Sequence, residues 1–215
     1  MGQRLRGMEN FLCDVLSDPD SAKLVLDKFT ELKMRFWEKA LDKLADVVDV
    51  VVENDDYGTQ DRLLIPPETF RSLMKPRLQE ILALIKRKFR EKKNPGERGW
   101  IFFHSCGNIR PILPDFIEIG VDILNPVHLN ATGMEPGPLK KDFGSEITFW
   151  GGGVETQSIL PRGTPEAVKE NVKRNLSALM PDGGFVFNTV HNIQAEVPPE
   201  NIAAMWETLQ QYGKY

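Results

Sequence analysis

The chain has 215 residues, of which 41% are hydrophobic and 27% charged, and its net charge is −4. This composition is that of one globular domain with its own core, and the acidic balance gives no reason to expect nucleic acid or an anionic membrane as a partner. No apolar run approaches the roughly 20 residues of a membrane-spanning helix, and the apolar run of a signal peptide is missing. The two cysteines, Cys13 and Cys106, stand in different contexts, so we expect no disulfide framework and a protein of the reducing cytoplasm.

The first long element is a helix predicted over residues 19–45. Asp18 precedes Pro19, and this pair favours a helix start because Asp caps free backbone N–H groups and Pro fits the first turn. Apolar residues recur along it at three-to-five-residue spacing and predict a stripe that faces a core: Leu24, Phe29, Leu32, Phe36, Ala40 and Leu44. A strand is predicted next, over residues 47–52.

Helices and strands alternate through the rest of the chain. The predicted elements are helix 66–93, strand 100–103, helix 110–119, strand 121–124, helix 138–143, strand 147–150, helix 164–180, strand 184–190 and helix 198–212. Gly120 stops the helix at 110–119, and a strand follows at once. Such a short β-α-β unit requires a parallel, right-handed crossover, so the sequence predicts an α/β protein with parallel strands.

Reactive side chains follow the predicted strands, at the point where each strand ends. The run at residues 100–103 leads into His104-Ser105-Cys106, and other runs lead into Asp56, His128, Glu155 and His191. In a parallel α/β barrel the carboxyl ends of the strands form the catalytic face. Five strands that each deliver polar groups there favour an active site over unrelated buried polar clusters in a structural protein.

The predicted strands are too few for a closed barrel, which has eight. We therefore expect that the chain is the C-terminal part of a longer protein, or that it assembles with something that supplies the remaining strands. The strand at residues 47–52 would then have an unpaired edge, with Val48, Val50 and Val52 partly uncovered. Exposed edges and apolar patches promote association, so homo-oligomers or aggregation are expected of the isolated chain.

Six motifs are spread along the chain between residues 55 and 201. They are Asp55-Asp56-Tyr57-Gly58-Thr59-Gln60, residues 103–108 (FHSCGN), residues 119–127 (IGVDILNPV), residues 149–157 (FWGGGVETQ), residues 160–166 (LPRGTPE), and residues 190–201 (VHNIQAEVPPEN). Their order and spacing resemble the uroporphyrinogen decarboxylase superfamily, which includes cobalamin- and corrinoid-dependent methyltransferases. The resemblance implies the C-terminal five-strand portion of a (β/α)₈ TIM barrel: one URO-D-type domain over residues 1–215 that lacks the N-terminal third of the barrel.

The resemblance also implies a metal site. His104-Ser105-Cys106 is similar to the His-x-Cys zinc motif of the methyltransferase branch, and thiolate and imidazole are ligands that suit Zn²⁺. The methyltransferases usually supply a second cysteine after the last strand, where this chain has His191 instead. His191 is the predicted third ligand, although a histidine in a similar loop of the decarboxylases contacts substrate carboxylates. The alternative is a buried Cys106 with a hydrogen-bonded His104.

Further residues are assigned to the site with the resemblance as a guide. Asp56 and Glu155 are predicted to be catalytic together with His191. Asp56 would orient a ligand or transfer protons, and Glu155 would be a fourth ligand or would orient a histidine; the alternative for Glu155 is a solvated loop carboxylate. Asn125, His128 and Tyr57 are predicted to contact the substrate, with a hydrogen bond at the rim of the site as the alternative for His128.

Three functions stay open. The first is a zinc-dependent transfer of a methyl group between a corrinoid and a thiol or another small acceptor, with a corrinoid protein as a possible partner. The second is decarboxylation of uroporphyrinogen, in porphyrin biosynthesis, which needs cationic groups for the substrate's carboxylates. Only Arg110 and Arg162 lie near the predicted strand ends, which counts against it. The third is a truncated chain that binds metal or a partner and is inactive alone.

Overall fold

A computed structural model describes residues 2–215. It has an α/β fold in which five parallel strands form one sheet, in the order β1-β2-β3-β4-β5. The strands are β1 (Val50–Asn54), β2 (Trp100–His104), β3 (Ile123–Asn125), β4 (Thr148–Trp150) and β5 (Phe185–Val186). The helices are α1 (Gly2–Arg6), α2 (Met8–Ser17), α3 (Pro19–Leu44), α4 (Pro67–Thr69), α5 (Lys75–Lys92), α6 (Leu113–Glu118), α7 (Pro136–Phe143), α8 (Ile159–Arg162), α9 (Pro165–Leu179) and α10 (Pro199–Tyr212). A π-helical segment, Phe70–Met74, precedes α5, and a 3₁₀ turn, Arg110–Ile112, precedes α6.

The predicted strands and the predicted helices between them occur in the predicted order. The structure adds three helices that were not predicted, α1, α2 and α8, and the other differences lie at element ends. The first strand begins at Val50 rather than at residue 47, because the N–H groups of Val47 and Val48 both bond back to the carbonyl of Leu44 and prolong the turn after α3. The last strand keeps only two of its seven predicted residues. Gly120 ends its helix as predicted, with a positive φ of 97°.

The chain divides into two compact units. The first comprises Met1–Asp55, Leu63–Phe103 and Pro111–Val121, and the second comprises Asp56–Arg62, His104–Arg110 and Asp122–Tyr215. All the predicted site residues belong to the second unit. Across residues 2–215, no helix is both long and apolar enough to cross a membrane.

The core of the first unit forms where α5 packs against α3. Residues buried along α5 include Leu78, Ile81, Leu82, Leu84, Ile85 and Phe89, whereas α3 buries only Ala22, Thr30 and Leu41. The prediction that the apolar stripe of α3 faces a core is wrong for most of its members: Leu24, Leu32, Phe36 and Leu44 are exposed. Helical periodicity shows which face of a helix is apolar, but it does not show whether another element of the fold covers that face.

The first strand lies at one end of the strand order, and part of its surface is open. Val52 is 54% exposed, while Val48 and Val50 are partly exposed, in agreement with the prediction for these residues. A groove of about 360 Å³ lies between this strand and α3, with Phe29, Phe36 and Trp37 among its lining residues.

The second unit is built on three parallel strands. Ile123 pairs with Thr148, and Phe149 pairs with Phe185. Helices α9 and α10 pack together. Thr164 caps α9, because its hydroxyl accepts a hydrogen bond from the N–H of Ala167. The carboxyl ends of these strands lead into the loops that carry the candidate site.

Candidate functional site

Cys106 lies between two histidines. Its Sγ atom is 3.3 Å from Nε2 of His104 and 3.2 Å from Nε2 of His191. His104 is the last residue of β2, Cys106 follows two positions later, and His191 lies in the loop after β5. The structure therefore brings together the three residues predicted as metal ligands, from the ends of two strands that are far apart in sequence.

The ring of His104 is oriented by Asn125. Nδ1 of His104 is 2.6 Å from Oδ1 of Asn125, while Nδ2 of Asn125 donates to the carbonyl oxygen of Trp150 at 2.8 Å. The carbonyl fixes which end of the amide is the donor, so Oδ1 accepts and Nδ1 of His104 must carry the proton. In the neutral ring Nε2 then has the lone pair, and this is the nitrogen that faces Cys106.

Asp56 is the acidic neighbour of the thiol. The backbone N–H of Cys106 donates to Oδ1 of Asp56 at 3.0 Å, and the same oxygen is 3.8 Å from Nε2 of His104. Burial, followed by the negative charge and the hydrogen bond of Asp56, raises the pKa of the Cys106 thiol to about 12. Without a cation nearby, Cys106 is therefore a neutral thiol at physiological pH.

Two glycines hold the loops of the site together. A side chain on Gly107 would lie 2.5 Å from the backbone carbon of Gly58, and one on Gly58 would lie 2.7 Å from the carbonyl oxygen of Cys106. Gly107 also has a positive φ of 82°, which other residues rarely adopt. The backbones that carry Asp56 and Cys106 are thus in direct contact, and only glycine fits at either position.

His128 is buried beside this group. Its Nδ1 accepts a hydrogen bond from the N–H of Gly107 at 3.0 Å, and its Nε2 is 3.3 Å from Nε2 of Gln157. Burial lowers the pKa of His128, and repulsion from His191 lowers it further. Burial likewise lowers the pKa of His191, with a second contribution from His104, so both rings favour the neutral form.

Glu155 organises the loop that follows β4. Its carboxylate accepts the N–H groups of Gln157, Ser158 and Ile159 and the hydroxyl of Ser158, at the start of α8. Burial alone would raise the pKa of Glu155, but these hydrogen bonds together hold it below its ordinary value. Asn130 also donates to Glu155, at 2.8 Å. Both oxygens thus have partners in the protein, which fits a role in holding the loop.

The remaining predicted contact, Tyr57, is a core residue. Its side chain is only 6% exposed, and its backbone N–H donates to the hydroxyl of Ser105 at 3.1 Å. Sequence reasoning missed the amide side chains of Gln60, Asn130 and Gln157, which are linked to each other and to His128. Gln60 and Gln157 are the last residues of two of the six motifs, and this position in a motif is the feature of the sequence that could have indicated a place in the site.

The donor atoms fit a zinc ion. Among residues 2–215, two groups of potential ligands have donor atoms within 4.8 Å of one another: Cys106 with His128 and His191, and Cys106 with Asp56 and His104. Cys106 belongs to both, and the predicted set of His104, Cys106 and His191 combines members of the two. A thiol and imidazoles are the ligands that zinc prefers, and Asn125 leaves the required lone pair on His104 free.

The sequence and the fold assign the chain to a known family. The model of the uroporphyrinogen decarboxylase (URO-D) family matches residues 1–212, so the chain belongs to that family. Among solved structures, a methyltransferase from Methanosarcina mazei has a similar fold, with a TM-score of 0.72 at 20% sequence identity. The similarity covers 99% of this chain and 56% of that chain, so the protein spans little more than half of this neighbour's length. No curated protein matches the sequence.

Proposed function

We propose that this member of the URO-D family takes part in a zinc-dependent methyl transfer between a corrinoid and a thiol or another small acceptor. One observation carries the proposal: the Cys106 thiol lies 3.3 Å and 3.2 Å from two imidazole nitrogens, one of which has its lone pair kept free by Asn125. The similarity in fold to a methyltransferase supports the same reading.

His104, Cys106 and His191 would hold the ion, and Asn125 would orient the first of them. When bound, zinc would act as a Lewis acid that lowers the pKa of a thiol acceptor toward neutral pH. Asp56 anchors the loop of Cys106 through the backbone N–H and places a negative charge near the ligands. The lowered pKa values of His128 and His191 keep these rings neutral, which suits a site that must attract a single cation.

The alternative, decarboxylation of uroporphyrinogen, requires cations that are free to bind substrate carboxylates. Arg110 is engaged elsewhere: its guanidinium pairs with Asp142, donates to the carbonyl of Gly133 at 3.3 Å, and lies over the ring of Phe143. The residues gathered around Cys106 are a thiol, imidazoles and carboxylates, which favours methyl transfer.

The test has two parts. Purified protein should contain about one zinc per chain, and Cys106→Ser should lose it, whereas Cys13→Ser, at the exposed second cysteine, should not. Methylcobalamin and 2-mercaptoethanol then serve as probes, with transfer followed by the visible spectrum of the corrinoid. Protein that binds no zinc would overturn the proposal. Zinc binding without transfer by the 215-residue chain would support the third alternative, a chain that binds metal and is inactive alone.

A further inference from the structure

His128 lies among the candidate metal ligands, but its hydrogen bonds differ from those of His104. Nδ1 of His128 accepts the N–H of Gly107 at 3.0 Å, so that nitrogen carries no proton. The neutral ring must then carry its proton on Nε2, which is the opposite tautomer from His104. A protonated nitrogen has no lone pair to offer a metal ion, so His128 is unsuited as a ligand even though it belongs to a group of close donors.

The amide of Gln157 is oriented by its neighbours. Glu155 accepts a hydrogen bond from Nδ2 of Asn130, which identifies the donor end of that amide. The same Nδ2 donates to Oε1 of Gln157 at 3.1 Å, and Nε2 of Gln60 donates to that oxygen at 2.8 Å. Nε2 of Gln157 is therefore the atom that faces Nε2 of His128, at 3.3 Å.

Two N–H donors thus face each other, and neither can accept from the other. Polar groups of this kind are normally satisfied by an acceptor that both can reach. We propose that His128 and Gln157 form a pair of neutral donors for a carboxylate or carbonyl oxygen of the small molecule that binds beside Cys106, and that His128 binds this oxygen instead of the metal.

The inference deepens the proposed function. It rests on that function only for the statement that the bound molecule is a methyl donor or acceptor. The donor assignment itself depends only on hydrogen bonds within the protein. It can therefore fail or succeed independently of zinc and of methyl transfer.

The first experiment reads the tautomers directly. The chain has three histidines, so two-bond ¹H–¹⁵N spectra of metal-free protein labelled at histidine can be assigned with single variants. We expect a proton on Nε2 of His128 and on Nδ1 of His104. The reverse pattern at His128 would overturn the inference.

The second experiment separates ligands from donors. His128→Gln is the informative variant because an amide can accept from Gly107 and still present an N–H. We expect His128→Gln to change the zinc Kd by less than about threefold. His104→Gln should raise the zinc Kd by more than the ~10–100-fold that is typical when a residue that only hydrogen-bonds to a metal ligand is lost. Equal losses in the two variants would make His128 a ligand and contradict the proposal.

The third experiment uses acetate as the probe on metal-free protein. Acetate should shift the ring signals of His128 and the side-chain amide of Gln157 in a saturable way. Gln157→Leu and His128→Phe should abolish that response, while Gln194→Leu, at an exposed amide outside this network, should keep it. No saturable shift in the unaltered protein would refute the oxygen site. If zinc fails to bind at all, the proposed function fails, and the tautomers and the acetate response still decide this inference.

Discussion

His104 and Asn125 are joined through Nδ1 and Oδ1 at 2.6 Å, and this bond decides which nitrogen of the histidine stays available. The carbonyl of Trp150 fixes the amide from its other side. Metal-binding histidines are commonly oriented by such a partner, and loss of it typically weakens metal binding.

Asn125→Leu is therefore expected to weaken zinc binding by about 10–100-fold, because the ring of His104 loses its fixed tautomer. Asn125→Asp keeps an oxygen acceptor and should lose less of the zinc affinity. Asn130→Leu is the matched control, since that amide contacts Glu155 and Gln157 but not His104. Competition with a coloured chelator measures all three, and equal affinities for the leucine variants would contradict the assigned role of Asn125.

The raised pKa of Cys106, about 12 against an ordinary 9.0, predicts slow alkylation of the metal-free protein. Three pKa units mean about 10³-fold less thiolate at pH 8 than an unperturbed cysteine has. Asp56→Asn should lower this pKa and speed alkylation by iodoacetamide, followed by mass spectrometry of the Cys106 peptide. A rate that is unaffected by the substitution would show that burial alone controls the thiol.

The same shift has a consequence for stability. A pKa that is higher in the folded state means that the folded protein favours the protonated thiol. The contribution of this thiol to the free energy of unfolding is therefore fully present below pH 9 and is lost as the pH rises toward 12. Urea melts of metal-free protein between pH 8 and pH 11 should show this decline, and Cys106→Ser should reduce it. An identical decline in the serine variant would assign the effect to other groups.

Glu155→Gln should destabilise the fold and leave zinc binding intact. The carboxylate accepts several hydrogen bonds at the start of α8, and hydrogen bonds to a charged group contribute about 1.5–3 kcal/mol each, so a loss of roughly that size is expected. The lowered pKa of Glu155 predicts that its stabilisation is present above its ordinary pKa and is lost as the pH falls through the folded value.

Urea denaturation with parallel metal analysis distinguishes the roles that the sequence left open for Glu155. Glu146→Gln, at an exposed turn position, should change the free energy of unfolding by less than about 0.5 kcal/mol. Loss of zinc from a stably folded Glu155→Gln would instead support its prediction as a ligand.

The exposed apolar face of α3 and β1 predicts self-association of the chain. Phe36, 61% exposed, and Val52 lie on that face, so Phe36→Gln with Val52→Thr should reduce association without loss of stability. Leu41→Ala, at a site only 1% exposed on the same helix, should cost about 2–5 kcal/mol. Sedimentation and denaturant melts measure both, and a monomer at all concentrations would remove the basis for this prediction.

The order of the strands could be predicted from the alternation of apolar strand and helix patterns along the chain. The neighbourhood of His104, Cys106 and His191 could be predicted because the strand ends of a parallel sheet meet at one edge. The exposure of Phe36 could not, since the spacing of apolar residues is the same whether or not another layer covers them. The strand β5 was predicted, but its shortness was not, because the apolar run at residues 184–190 has the composition of a strand throughout, while pairing extends over only part of it.

The finer chemistry of the site depends on hydrogen-bond direction, which no spacing encodes. His104 and His128 are the same residue type at two strand ends, yet a side-chain carbonyl contacts Nδ1 of one and a backbone N–H contacts Nδ1 of the other. Their opposite tautomers follow from these partners alone. The pattern of the sequence could locate both rings but could not show which partner contacts Nδ1 of each.

The direct backbone contact between Gly58 and Gly107 joins the two loops of the site through their main chains. This packing supports the loops in addition to the hydrogen bond from the N–H of Cys106 to the carboxylate of Asp56. The two glycines therefore offer a frame for redesign, in which the side chains at positions 56 and 106 are exchanged to vary the donor atoms that these loops present while both glycines are kept.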